Sequence, residues 1–368
     1  MAISNPPREY DQVKEAKEFE DAMIGVKGLV DSGITTIPRF FIQPPKILST
    51  IKPTNRPTTT IEIPVIDLSD INNNFSGNDA RARIVEEIRG ASRTRGIFYI
   101  INHGIQDFIL DNMIMAAKSF HEQSTELRAQ YYQGKLGSNA VFMTTYNFRV
   151  PTGATWRDSL QVNWTPNPPE FEQIPAVCRE EMVVMDEHMK QLGNTLMELF
   201  SEGLGVSHER LKEYMEDRLM LTHYYPYCPQ PDLTLGTHPH TDSTVLTVLL
   251  HNQIDRFQVE CGKEWVHIMP LPGALLVNIG DILQVLSNDE YKSSRHRVLA
   301  NSSQDPGITV AFFFLSSNIS KLCCPFPELL SPEKPAIYRS FKMHEHKQAR
   351  YNIQLEDEPR TALSYFKL

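Results

Sequence analysis

A chain of 368 residues with 41% hydrophobic and 22% charged side chains can bury one large core or two modest ones, which argues against disorder as its main state. Its 45 acidic residues outweigh 36 basic ones, and a formal net charge of −9 without a Lys/Arg block repels a phosphate backbone, so nucleic acid is not an expected partner. Five cysteines (Cys178, Cys228, Cys261, Cys323, Cys324) are odd in number and show no C-x-x-C spacing, which argues against a disulfide framework or a zinc site and for reduced thiols.

In chain order, Met1 to Gln12 is polar and charged, and no later run approaches the roughly 18 apolar residues of a membrane span. The expectation is a soluble, cytoplasmic protein with no membrane partner. Residues 1–60 end in a Pro- and Thr-rich stretch, Gln43-Pro44-Pro45 through Pro53 and Pro57, read as an extended surface arm. Ile61 to Leu68 alternates like a strand, Ala80 to Arg93 has helical spacing at Ile84, Ile88 and Ala91, and Ile97 to Ile101 is a second strand. A helical pattern resumes from Ile105 to about Gln130. The clearest helix runs from Arg179 to Leu204, because Met185, Met189, Leu192, Leu196 and Leu199 fall on one face, with Gly203 and Gly205 as its stop.

Beyond Leu219 the pattern changes to short β-rich runs: Leu219 to Tyr225, Val245 to Leu250, Phe257 to Val259, Trp265 to Ile268, Ala274 to Val277 and Ile308 to Leu315. Turn residues separate them, as in a sandwich or barrel. The charged tail from His344 to Leu368 is read as a solvated helix and end segment rather than a site.

Thr237 to Asp242 reads THPHTD, and on an extended strand residues two apart share a face, so His240 and Asp242 can grip one ion. His296, shortly before the Ile308 run, is the best third ligand. Two imidazoles and a carboxylate suit non-haem Fe(II) oxygen chemistry, although zinc hydrolases use the same ligand types. On spacing alone His238 could replace His240.

The surroundings of these residues carry a resemblance. His223 to Pro231 (HYYPYCPQP), the HTD, Pro272 to Asp281 (PGALLVNIGD), Ser287-Asn288, Tyr291 to Ser293 and His296-Arg297-Val298 together resemble the plant Fe(II)/2-oxoglutarate-dependent dioxygenases. IPVIDLS from Ile63, IVEEIR from Ile84 and IINHG from Ile100 match as well. The segment Val26 to Pro45 is similar to the group named for homology to aminocyclopropanecarboxylate oxidase, which includes alkaloid, benzoxazinoid and glycoalkaloid hydroxylases. The resemblance spans about residues 20–355.

It implies a mainly β fold with flanking helices: a double-stranded β-helix (jelly-roll) core at 206–320, an α/β N-terminal dioxygenase region at 61–205, and a C-terminal segment at 321–368 that closes the pocket. By the family pattern the catalytic and metal-binding residues are His240, Asp242 and His296, and His238 falls back to a structural role. Fe(II) and 2-oxoglutarate are the implied cofactors, O2 the co-reactant and ascorbate an activator. Tyr225 matches the tyrosine that hydrogen-bonds the far carboxylate of 2-oxoglutarate, although Tyr224 and Tyr225 could both be barrel packing.

There is one departure. Family members carry R-x-S before an Ala-Phe-Phe strand, whereas this chain has Gly307 for the arginine and Thr309 for the serine. Losing that fork costs a buried carboxylate about 2 to 5 kcal/mol, or roughly one to four decades of affinity. Arg256 could supply the charge instead; Arg295 and Arg297 flank a ligand but should point to the opposite face. Otherwise the cosubstrate binds weakly, or the enzyme has become a redox-neutral isomerase, epimerase or cyclase independent of 2-oxoglutarate. A binding protein without chemistry is disfavoured by the intact triad. For the substrate, Phe148, Ala154 and Trp156 are pocket candidates beside the Trp156-Arg157-Asp158 signature, with Phe312, Phe314 and Phe341 opposite and Phe313 turned away. An apolar cavity suits an alkaloid, terpenoid or phenolic of plant specialised metabolism.

Overall fold

The computed structural model describes residues 10–51, 61–71, 77–132, 139–144, 153–254, 256–353 and 361–368. The strands of its two larger sheets are β1 (Val65–Asp67), β2 (Ile97–Ile101), β3 (Ala140–Met143), β4 (Asp158–Asn163), β5 (Asp217–Tyr225), β6 (Leu235–His240), β7 (Leu246–His251), β8 (Phe257–Cys261), β9 (Glu264–His267), β10 (Leu275–Ile279), β11 (His296–Leu299) and β12 (Gly307–Leu315). Eight of them form one sheet in the order β1-β2-β10-β7-β12-β5-β4-β3, and β6-β11-β8-β9 form a second. Most neighbours are antiparallel; β1 and β2 run parallel. The residue ranges 61–205 and 206–320 are interleaved in the large sheet, because β4 pairs along β5 and β2 pairs with β10.

Alternation along each large-sheet strand divides the molecule into two cores. From β12, Ile308, Val310, Phe312 and Phe314 join Val277 and Ile279 of β10 and Leu246, Val248 and Leu250 of β7. They pack against the helices Gly77–Thr94, Asp107–His121 and Arg179–Leu204. Gly193 in the last of these is needed because a Cβ there would lie 2.2 Å from the Phe314 ring. The opposite face contributes Tyr225, Leu249, Leu276 and Ala311 to an inner core shared with Phe257, Val259, Val266 and Val298 of the small sheet. Full burial of such a side chain is worth about 1.5–3 kcal/mol, so a one-residue slip in β12 would exchange two costly faces.

The Arg179–Leu204 helix has the expected bounds, and Gly205 ends it in the left-handed conformation at φ 71°. The N-terminal arm differs from expectation. Gln12–Ala22 and Gly25–Asp31 are helices, and Phe19, Val26, Phe40 and Phe41 are buried against the barrel. Proline excludes helix only locally, and the Pro/Thr run at 52–60 lies outside the described residues. The charged tail is also more than a solvated end: in the helix Met343–Ile353, His346 is 1% exposed and bonds a buried aspartate.

Candidate metal and cosubstrate site

His240 closes β6 and stands directly opposite His296, the first residue of β11. Asp242 follows in the turn to β7. The three side chains each bring one ligand atom within 4.8 Å of the others, with His240 Nε2 at 3.5 Å and His296 Nε2 at 3.7 Å from Asp242 Oδ1. The backbone sets the imidazole tautomers. His240 Nδ1 donates to the His238 carbonyl at 2.8 Å and His296 Nδ1 to the Ser294 carbonyl at 3.1 Å, so both Nε2 lone pairs face the centre. Phe257 stacks on the His296 ring at 5.2 Å.

Charge and burial agree with this geometry. Burial opposes ionisation of Asp242, but the neighbouring His296 and His240 charges and hydrogen bonds hold its carboxyl below the usual carboxylate range. Burial, followed by the His240 charge, pushes His296 down to about 4. The buried Asp242 Oδ2 has no hydrogen-bond partner among the described residues. A carboxylate and two imidazoles with their Nε2 atoms turned inward fit a divalent metal of the iron or zinc type. His238 is turned elsewhere: its Nε2 meets Gln43 Oε1 at 2.9 Å, tying the arm to β6.

The loop carrying Asp242 is braced from behind. Asp281 N donates to the Asp242 carbonyl at 2.7 Å, and the preceding Gly280 must lack a Cβ, which would fall 2.0 Å from the Thr244 carbonyl. Asp281 Oδ2 accepts from Thr241 Oγ1 and meets His346 Nε2, both at 3.0 Å, and Arg350 donates to the Thr241 carbonyl. Periodicity does not reveal this brace, because its partners lie far apart in the chain.

Further into the barrel, a cavity is lined by Tyr225, Arg256, Phe257, Val298, Gly307 and Thr309. Gly307 pairs with Tyr225 across β12 and β5, and a Cβ on it would make ordinary contacts of 3.4 and 3.5 Å with the Tyr225 Cβ and ring edge. Arg256 donates to Ser302 Oγ at 2.7 Å. Arg295 and Arg297 point to the outer face of the small sheet, onto Glu260, Gln258 and Trp265, as the alternation requires. The Tyr225 hydroxyl shares a hydrogen bond with Thr237 Oγ1 at 3.2 Å, and Thr237 also accepts from Arg157 at 2.7 Å. Thr237 and Arg157 both lie within quoted motifs, but neither was assigned a role there.

Several substrate-side expectations are corrected. Phe312 and Phe314 face the helices, while Phe313 shares the inner face with Thr309 and Ala311; the β12 alternation starts from Gly307, not from the phenylalanines. Phe341 stacks on Phe366 at 4.0 Å in a closed aromatic group. Ala154 and Trp156 clamp the arm: Ala154 N donates to the Phe40 carbonyl at 2.7 Å, and the fully buried Trp156 ring meets Phe41 edge-on. Phe148 lies outside the described residues.

Two family models match the chain: the 2OG-Fe(II) oxygenase superfamily over residues 216–316, and the N-terminal region of the non-haem dioxygenases of morphine synthesis over residues 63–180. A tomato (Solanum lycopersicum) protein described as a 1-aminocyclopropane-1-carboxylate oxidase homolog is 39% identical over 98% of both chains. This chain belongs to the 2-oxoglutarate/Fe(II) oxygenase superfamily. Deacetoxyvindoline 4-hydroxylase of Catharanthus roseus is 38% identical, covering 98% of this chain and 90% of that one. Among solved structures, JOX2 in complex with 2OG, Fe and JA superposes with a TM-score of 0.77 at 26% identity, over 94% of this chain and 97% of that one. The rice dioxygenase for auxin oxidation, at 23% identity and a TM-score of 0.69 over 83% of this chain and all of that one, shares the fold. The protein is therefore an oxidoreductase of the dioxygenase type with a jelly-roll core, and its family uses Fe(II), 2-oxoglutarate and O2 on small molecules. No helix of the described residues is long and apolar enough to cross a membrane.

Proposed function

We propose that the protein oxidises a plant specialised metabolite by hydroxylation, demethylation or desaturation, using Fe(II) held by His240, Asp242 and His296 and 2-oxoglutarate as cosubstrate. The observation that carries this reading is the convergence of three ligand atoms whose tautomers are fixed by backbone carbonyls. Bound there, iron supplies oxygen activation. The chain's residues supply position: Asp242 and the two imidazoles would hold the metal from one side and leave room for the reactants on the other.

The distal carboxylate of 2-oxoglutarate fits the cavity lined by Tyr225, Thr309 and Arg256, where the Arg256 guanidinium takes over the charge lost at Gly307. Apolar Phe257, Val298, Leu249 and Ala311 keep water from that end. Five free cysteines fit a reducing cytosol, and ascorbate fits as the reductant that keeps iron divalent. The relatives named above are described as an oxidase homolog and a hydroxylase, and with Arg256 lining the cavity the departure at Gly307 does not require the redox-neutral alternative.

The test is anaerobic and aerobic incubation with Fe(II), ascorbate and candidate metabolites, with and without 2-oxoglutarate, while following succinate. Succinate release that requires both O2 and 2-oxoglutarate is expected. Substrate turnover that ignores both would sink the reading.

A further inference from the structure

The strand that carries the first metal ligand is poorly held by its own sheet. β6 lies at the edge of the small sheet, paired on one side with β11. Its open side is secured at the start, where Trp156 N donates to the Leu235 carbonyl at 2.8 Å. The ladder is weakest at the other end, just before His240. There the pairs His296–His240 and Val298–Thr237 lie three steps apart on β6 but two on β11, and Pro239 inside that bulge brings no N–H. A ligand on such an edge takes its orientation from groups outside the sheet.

Gln43 of the N-terminal arm is such a group. Its side chain is buried, and its Nε2 donates to the Ala154 carbonyl at 2.8 Å and the Phe41 carbonyl at 3.3 Å. Both donors are thereby directed away from β6, which leaves Oε1 to accept from His238 Nε2 at 2.9 Å. The arm itself is anchored here: Gln43 N donates to the Leu233 carbonyl at 2.9 Å, and Phe41 packs on Trp156. The carbonyl of His238 is in turn the acceptor for His240 Nδ1. Pinning the His238 side chain therefore steadies the peptide on which the His240 ring leans. Resting on the assignment of the metal to His240, Asp242 and His296, we propose that Gln43 is a positioning residue for the metal centre, acting through His238 to aim His240 Nε2. The arm is then a working part of the metal site as well as a cover on the barrel.

The test strips the full-length protein of metal and adds Co(II), whose visible absorption reports ligand geometry, with anaerobic Fe(II) calorimetry as a second measure. Gln43→Met keeps the length of the side chain but removes the amide. It should weaken Co(II) and Fe(II) binding by about tenfold and alter the Co(II) spectrum. His238→Met should do the same, and the double variant should lose no more than either single one, because both cut one link. His238→Gln places an N–H near the position of the imidazole Nε2 and should keep wild-type affinity and spectrum. Thermal melts of the metal-free variants separate loss of folding from loss of positioning. Unchanged affinity and spectrum in Gln43→Met, or losses that add in the double variant, overturn the inference. If Gln43→Met does not fold, the two His238 variants decide: equal losses in both overturn it, and a loss in His238→Met alone supports it. Wild-type protein that takes up no metal would overturn the preceding reading itself, and this inference with it.

Discussion

The two ends of the barrel interior obey different rules. At the metal end, three ligand atoms are set by strand register and by backbone carbonyls that fix which imidazole nitrogen is bare. At the end proposed for the carboxylate, Gly307 stands where the family resemblance implies an arginine, and the guanidinium lining the cavity is that of Arg256 at the edge of another strand. A metal needs lone pairs aimed within tenths of an ångström, so its residues cannot migrate. A carboxylate needs charge and a few donors, which a long side chain can deliver from several positions. Chemistry is thus pinned where directionality is strict and free to relocate where it is not.

That contrast makes its largest prediction at the rigid end. Asp242→Asn should abolish stoichiometric Fe(II) binding and with it succinate formation, while the thermal transition persists; metal analysis of the purified variant checks this. Retained iron would break the contrast. At the tolerant end, Arg256→Gln should raise the KM for 2-oxoglutarate by roughly one to four decades, and Gly307→Arg introduced into that variant should recover much of the loss, since a Cβ fits at Gly307 without displacing Tyr225. Failure of the second change to compensate would show that the cation's position is as strict as a ligand's. The smallest effect is expected from the brace. His346→Gln removes a buried partner of Asp281 and should weaken Fe(II) binding by about 10- to 100-fold with no change in the 2-oxoglutarate KM at saturating metal.

Much of the fold was legible because periodicity is a local property. The four-three-four-three spacing of Met185 to Leu199 and the short runs beyond Leu219 correspond to the observed helix and strands. His240 and Asp242 were legible for the same reason, and His296 by its motif. The faces of β12 were harder to read, since Phe312, Phe313 and Phe314 offer no contrast of composition. Their sides follow from Gly307 and Thr309, which face the cavity. Arg157 and Thr237 lay inside quoted motifs, but their contacts, like the His346 brace, were not legible: each acts through a hydrogen bond to a residue tens of positions away, and spacing keeps no record of such neighbours. Trp156 and Ala154 misled because a motif marks a place without saying which way its side chains turn.

The brace also gives the site an order of assembly. Thr241 is held by Arg350, 109 residues further along, and Asp281 by His346, 65 residues further along. A nascent chain leaving the ribosome therefore exposes all three metal ligands well before the helix that steadies them. During that interval the loop carrying Asp242 lacks the His346 and Arg350 contacts that brace it in the folded molecule.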